Sequence, residues 1–140
     1  MIIEQREAIR DRLAAAFDAA DLKPFIAITG FPENKESMEN LQMAAKPHKG
    51  GAVFVTWTAE RPGYRSGQIY PAFVDVYTIF LFSDNKKSDD DIIKAYEIAR
   101  NALQSKYFLY YGEMSPVKTA QTGLYMAALQ VGLQAIYQGN

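Results

Sequence analysis

Cysteine is missing from the sequence, and histidine and tryptophan each occur once in 140 residues. Without cysteine, a disulfide framework, a thiolate zinc site and a cysteine nucleophile are all excluded. Any Ser-His-Asp or histidine-containing metal site would have to use His48, the single histidine. His48 lies in a Lys-Pro-His-Lys-Gly-Gly segment with no acid within eight residues, so we interpret it as a solvated loop residue.

Neither sign of charge is in excess, because 15 Lys and Arg face 16 Asp and Glu and the net charge is −1. A nucleic-acid-binding protein usually carries a basic excess. The most apolar stretch, residues 72–82, contains Asp75 and is far shorter than the roughly 18 residues of a membrane span. Charged residues soon after Met1 give no signal-peptide pattern. We therefore expect one soluble domain over residues 1–140, with no membrane partner and no sequence-specific nucleic-acid partner.

Aromatic residues are abundant, with nine Tyr, eight Phe and one Trp, and 49% of the chain is apolar. This composition is ordinary for a globular domain and excludes a disordered chain. The aromatic residues concentrate in residues 54–82 and 107–137. Both regions have the alternating pattern of β-strands, so part of the aromatic excess is expected at an interface.

Hydrophobic periodicity predicts two helices and several strands. The predicted elements are a helix at 2–20, a strand at 25–28, a partly helical connection at 33–45, strands at 52–58 and 69–82, a helix from Ser88 or Asp89 to 105, strand-like segments at 107–114 and 116–121, and a strand at 124–137. Because helices and strands do not alternate strictly, we predict an α+β fold. It has a mostly antiparallel, mixed β-sheet, two main helices packed on one face, and a long protruding β-hairpin.

The predicted strand at 69–82 is long for a domain of this size. At about 3.3 Å per residue it would extend about 46 Å, against a domain diameter of about 37 Å. Either the strand bends near Pro71, or the hairpin around Pro62-Gly63 projects as an arm that contacts another chain. The interface candidates on or beside this arm are Arg61, Tyr64, Arg65, Tyr70 and Asp75.

Acidic residues give few candidates for chemistry. Asp75 lies inside an apolar strand, where a carboxylate can act as a catalytic acid, pair with a cation or face a partner chain. Asp84 and Asp89–Asp91 could serve as ligands of a hard cation, but helix capping explains the consecutive acids. Lys49-Gly50-Gly51 precedes a strand and lacks the spacing of a phosphate-binding loop. We expect no catalytic, metal or cofactor site.

The order of these segments resembles a known family of small phage proteins. The residues that carry the resemblance are, in chain order, the first helix, Gly30-Phe31-Pro32-Glu33-Asn34, Pro47-His48-Lys49-Gly50-Gly51-Ala52-Val53-Phe54-Val55, Phe73-Val74-Asp75-Val76-Tyr77-Thr78-Ile79, and Ala95-Tyr96-Glu97-Ile98-Ala99-Arg100-Asn101-Ala102-Leu103. Over most of its length the chain thus resembles the gene-product-37 family of Mu-like phages and prophages. That family is similar to the tail-terminator and tail-completion proteins of long-tailed phages.

The resemblance implies a structural protein of the virion tail, with no catalytic residues and no cofactor. Its subunits would form a homo-oligomeric ring, expected to be a hexamer, that caps the tail tube and stops its polymerisation. Besides itself, its partners would be the tail-tube protein and head–tail connector proteins, and DNA can pass through the lumen of such a ring. Assembly would take place in the host bacterial cytoplasm.

A second hypothesis stays open on the residues alone. A small-ligand-binding or enzymatic α+β domain of the bacterial cytoplasm would use an aromatic pocket built from Trp57, Tyr77, Tyr110 and Tyr125. A metabolite that raises the melting temperature by several degrees would favour this pocket. Neighbouring genes for tail-sheath and tail-tube proteins would favour the structural hypothesis instead.

Overall fold

The computed structural model describes residues 2–20, 26–29, 45, 50–63, 72–111, 117–118 and 123–136. Within these ranges the chain forms two long helices and six strands, which are α1 Ile2–Ala19, β1 Ile26–Thr29, β2 Gly51–Gly63, β3 Ala72–Ser83, α2 Asp90–Leu103, β4 Phe108–Tyr111, β5 Val117–Lys118 and β6 Tyr125–Ile136. The predicted α+β fold is confirmed. None of the described helices is long and apolar enough to cross a membrane.

The strands form one mixed sheet in the order β1-β2-β3-β6-β4, and β5 also pairs with β6. β1 is parallel to β2, whereas every other pairing among the described strands is antiparallel. β3 is flanked along its whole length, because Ala72 to Ser83 pair with β2 on one side and with β6 on the other. This central position explains the long apolar run of its sequence.

Apolar residues cover both faces of the sheet. On the first face, which we call the helix face, the core contains side chains from both helices and from β2, β3 and β6; they are Ile9, Leu13, Phe17, Ile92, Ala95, Ala99, Leu103, Val53, Val55, Tyr77, Ile79, Leu81, Ala127, Leu129 and Val131, together with Tyr107 after α2. On the other face a smaller cluster contains Ala45, Ala52, Phe54, Phe82 and Leu124. The Phe54 and Phe82 rings meet edge to face with centroids 5.8 Å apart. β3 is therefore covered by apolar residues on both of its faces.

Both helices pack on the helix face, as the sequence predicts, and two polar contacts fix their positions. The Tyr77 hydroxyl donates a hydrogen bond to the Ile2 carbonyl (2.9 Å), which places the first turn of α1 over the middle of β3. Arg12 of α1 donates to the Ala102 carbonyl (2.5 Å) and to the Ser105 hydroxyl (2.8 Å) at the end of α2. The two helices are thus joined directly as well as through the core.

The structure corrects the first part, residues 59–63, of the predicted loop at 59–67. β2 continues to Gly63, and Pro62 pairs in the ladder with Phe73. Proline is confined to the edges of sheets. Pro62 lies at such an edge, because β1 pairs with β2 only as far as Val55 and no other described strand pairs with that side of β2. Residues 64–70 and Pro71 lie outside the described residues, so the projection of the hairpin stays a prediction.

Other element ends differ slightly from the predicted ones. α2 ends at Leu103 rather than at 105. β3 is described from Ala72, and the predicted strand start at 69 lies outside the described residues. Tyr107 was predicted in a strand, but its N–H donates to the Leu103 carbonyl (2.8 Å) in a last helical turn, and its side chain is buried. The partly helical connection predicted at 33–45 lies outside the described residues except for Ala45.

Candidate functional site

A β-bulge sets the arrangement of the candidate site. The register of β2 against β3 shifts between Trp57 and Ala59, so Thr58 is an extra residue in the ladder. Trp57 pairs with Tyr77 before the bulge, and Glu60 pairs with Asp75 after it. Without the extra residue, strand alternation would place Glu60 on the other face. The bulge therefore brings Trp57, Glu60 and Asp75 together on the helix face.

Polar contacts on the opposite face hold this bulge. The Thr58 hydroxyl is hydrogen-bonded to the Thr78 hydroxyl. Gln130 of β6 donates to the same Thr78 hydroxyl (3.1 Å), and Thr56 donates to the Thr78 carbonyl (3.2 Å). Because the extra residue is tied to the central strand, the position of Glu60 is fixed by the fold.

Two carboxylates lie directly across the ladder from each other. Asp75 is only 7% exposed, and its Oδ1 has no hydrogen-bond partner among the described residues. Glu60, its cross-strand neighbour, is exposed. Like charges directly opposite each other in a sheet destabilise the pair. This position therefore favours the approach of a positively charged group.

An exposed tryptophan completes the site. Trp57 is 40% exposed, although Tyr77 beside it in the ladder is completely buried. Among the described residues, the other exposed large apolar side chains are Ile3, which is 60% exposed, and Ile93, which is 39% exposed. Tryptophan is enriched at protein interfaces and binds guanidinium groups on its ring face. We refer to Trp57, Glu60 and Asp75 as the Trp57 patch.

A buried polar cluster lies behind the Trp57 patch, between α1 and the sheet. Burial, then the Asp75 carboxylate and Tyr107, raise the pKa of Tyr77 to about 12, while the Arg6 guanidinium opposes the shift. Burial also raises the pKa of Tyr107, against the effect of the Arg12 guanidinium. Both phenols therefore stay neutral at physiological pH.

Several atoms around this cluster lack hydrogen-bond partners among the described residues. They are Gln5 Oε1, Arg6 Nε, Asp75 Oδ1 and the Tyr107 hydroxyl. A buried polar group without a partner costs about 1–3 kcal/mol. The turns of α1 around Ile9 and Leu13, by contrast, pack on the sheet through completely buried apolar side chains.

Of the other predicted interface residues, the structure describes only the backbone of Arg61. Arg61 pairs with Val74 in the ladder, one position beyond Glu60. Tyr64, Arg65 and Tyr70 lie outside the described residues, as does His48. Of the predicted set, the structure thus places Asp75 in the Trp57 patch.

The acids considered as metal ligands lie at the start of α2. The Ser88 hydroxyl accepts a hydrogen bond from the Asp90 N–H (3.1 Å), whereas Asp89 makes no side-chain cap. Asp91 accepts a hydrogen bond from the Asn85 amide (3.2 Å). Across the described ranges, no group of three or more His, Cys, Asp or Glu is arranged to hold a metal ion.

The aromatic residues of the second hypothesis are spread along the sheet. Trp57 and Tyr77 are ladder neighbours. Tyr77 pairs with Val131 of β6, whereas Tyr125 lies six residues earlier in β6, where it pairs with Ser83. At about 3.3 Å per residue, Tyr125 is therefore about 20 Å along the strand from the partner of Tyr77. The Tyr110 side chain lies outside the described residues. The structure therefore brings together two of the four.

Glu60, Gln5 and Arg6 were not predicted as parts of a site, and Trp57 was predicted only in the aromatic pocket of the second hypothesis. Gln5 and Arg6 are both half-buried in the structure. One signal was present: the apolar stripe of α1 has a gap between Ile2 and Ile9, and helical spacing places Gln5 and Arg6 in that gap. The bulge at Thr58 gave no such signal, because Glu60 follows Trp57 at a spacing that predicts opposite faces.

Comparison with known proteins does not assign the chain to a family. No protein-family model matches the chain, and no curated protein gives a significant match to it.

Proposed function

We propose that the chain is a structural subunit that assembles with copies of itself into a closed ring, of the kind that terminates a phage tail. The observation that carries this proposal is the Trp57 patch, which combines an exposed tryptophan with two carboxylates on one face of the sheet. Tryptophan is enriched among the residues that dominate protein interfaces, and the two acids beside it favour a partner that carries a positive charge.

The fold agrees with this role. A first helix, a pair of long antiparallel strands, a second helix and a closing long strand follow in the order that the resemblance to tail-terminator-like proteins implies. The strands β2, β3 and β6 are 12–13 residues long, against a usual 5–6. They form a continuous platform on which the Trp57 patch lies beside the first turn of α1.

In this proposal the ring contains six copies, caps the tail tube and offers its other surface to the head–tail connector. A ring requires contacts in which two different patches of the same chain meet. The tail-tube protein is the second partner, the lumen passes DNA, and assembly takes place in the host bacterial cytoplasm. The protein's role is then mechanical and needs no reaction at the Trp57 patch.

The experiment that tests this function measures the length of tail tubes. Tail-tube protein from the phage or prophage that encodes the chain is allowed to polymerise with and without the chain, and tube lengths are measured by electron microscopy. We expect the chain to bind tube ends and to stop their growth. Tubes of unchanged length, with no chain at their ends, would refute the proposed function.

A matched pair of variants relates the result to the Trp57 patch. Trp57→Ala removes the exposed aromatic ring and should abolish capping. Ile93 of α2 is 39% exposed, nearly the same as Trp57 at 40%. The Ile93→Ala variant should therefore cap tail tubes as well as the original chain does. Circular dichroism and thermal melting of both variants check that the fold is intact.

A further inference from the structure

We infer that the Trp57 patch is a receptor for a basic side chain of a neighbouring copy, supplied by the cations at the C-terminal end of α2. This inference rests on the proposed self-assembly and adds which two surfaces meet. The first step is the chemistry of the patch: one aromatic ring and two carboxylates lie side by side on one face. A guanidinium or ammonium group satisfies all three, by stacking on the ring and by pairing with the acids.

The second step is the state of the patch in a single copy. Asp75 keeps a buried oxygen without a partner among the described residues, and Glu60 lies directly across from it. Arg6 is near Tyr77, since its guanidinium opposes the rise in the Tyr77 pKa. It nevertheless forms no ion pair with Asp75 in the described part of the chain. Among the described residues no cation forms an ion pair with either acid, so this position can receive one from a neighbouring copy.

The third step is the source of that cation. Arg12, Arg100 and Lys106 surround the end of α2, and we call them the basic cluster. Arg100 lies over the Tyr96 ring at 5.7 Å and Lys106 over the Tyr107 ring at 6.0 Å. Among the described residues, none of these three cations is seen in an ion pair with an acid. The charge of the basic cluster complements that of the Trp57 patch.

The fourth step is accessibility. Glu60 and Trp57 are exposed, so they make the first contact, whereas the carboxylate of Asp75 is covered and strengthens the negative potential behind them. Lys106 is exposed and Arg100 half-exposed, and both have long flexible stems. Because the Trp57 patch lies on β2 and β3 and the basic cluster lies around the end of α2, each copy can receive one neighbour and donate to another.

The test is a double-mutant cycle on the self-assembly constant, measured by sedimentation of the full chain. One variant is Glu60→Gln, the other is Arg100→Gln with Lys106→Gln, and the third combines all the changes. Arg12 is left unchanged because it joins the two helices. We expect each of the first two variants to weaken assembly about tenfold or more, and the combined variant to be no weaker than either alone. Asp84→Asn, which removes an exposed acid elsewhere, is the matched control and should leave assembly unchanged.

A second measurement needs no substitution. Trp57 is the only tryptophan of the chain, so its fluorescence reports the environment of the Trp57 patch directly. We expect its emission to shift to shorter wavelength as the protein concentration rises, and to shift back when salt is added, since salt screens the ion pairs.

The outcomes separate this inference from the proposed function. If the original chain assembles but Glu60→Gln behaves as Asp84→Asn does, the patch inference is wrong and the ring proposal stands. If the two sets of changes weaken assembly additively, the basic cluster is not the partner of the Trp57 patch and the inference is also wrong. If the original chain stays monomeric with and without tail tubes, the proposed function itself fails.

Discussion

Tyr77 shows at the scale of single residues how the core accommodates polar groups. Its ring is completely buried in the helix-side core, and its hydroxyl donates to the Ile2 carbonyl. Asp75, two residues earlier on the same face, is buried as well and adds negative charge to the surroundings of the phenol. The folded state therefore strongly favours the neutral form of Tyr77.

This preference predicts a loss of stability at alkaline pH. The pKa of Tyr77 is about 12 in the folded chain and 10.0 in an unfolded one. Between these values the unfolded chain releases a proton that the folded chain keeps, so the free energy of unfolding falls as pH rises from 10 to 12. Denaturant unfolding at a series of pH values measures this fall.

Tyr77→Phe is the matched control for that measurement. It removes the titrating hydroxyl and its hydrogen bond, so it should cost about 0.5–1.5 kcal/mol at neutral pH. Tyr77→Phe should also make the free energy of unfolding fall less steeply between pH 10 and 12, because the variant lacks the Tyr77 proton while the other tyrosines and the lysines are present in both the variant and the original chain. An equally steep fall in Tyr77→Phe would contradict the assignment of the shifted pKa to Tyr77.

At the scale of elements, the contact between the two helices depends on one side chain. Arg12 connects α1 to the Ala102 carbonyl and the Ser105 hydroxyl at the end of α2. The carbonyl groups at the end of a helix have no partners within the helix and carry partial negative charge, so a guanidinium stabilises them. Arg12 thus fixes the angle at which α1 crosses the end of α2.

Replacing Arg12 should loosen this contact without unfolding the chain. We expect Arg12→Ala to lower the free energy of unfolding by about 1 kcal/mol, since the contact is exposed and partly screened. Arg12→Lys keeps the charge but cannot bind both acceptors in the same geometry, so it should recover less than half of the loss. Urea denaturation of the three proteins measures both effects, and an Arg12→Ala variant as stable as the original chain would contradict them.

The elements that the sequence predicted well are those in which one pattern dominates. The periodicity from Ser88 or Asp89 to 105 and the apolar run of residues 69–82 predicted a helix and a long strand, and the structure has α2 and β3 in these regions. The end of β2 was mispredicted because Pro62-Gly63 is typical of a turn, whereas here Pro62 extends a strand whose other edge has no partner there among the described residues. The Trp57 patch was not predictable, since it depends on the extra residue Thr58, which shows only in the register.

At the scale of the whole molecule, the positions of the charged residues indicate a binding surface better than the net charge does. The net charge of −1 gives no hint of a binding surface. Nevertheless two acids meet on β2 and β3, and three cations gather around the end of α2. Different patches of one chain that meet between copies make head-to-tail contacts, which either close into a ring or continue as a filament. A terminator needs the first outcome, so the contact must close at a fixed number of copies.

The stoichiometry of the purified chain therefore tests the central claim most directly. Native mass spectrometry over a range of protein concentrations and at low ionic strength measures it without a label. We predict one discrete assembly of six chains of 15.7 kDa each, in equilibrium with the monomer. A monomer at every concentration, or an open series of ever larger assemblies with no preferred size, would contradict a closed ring built from this chain.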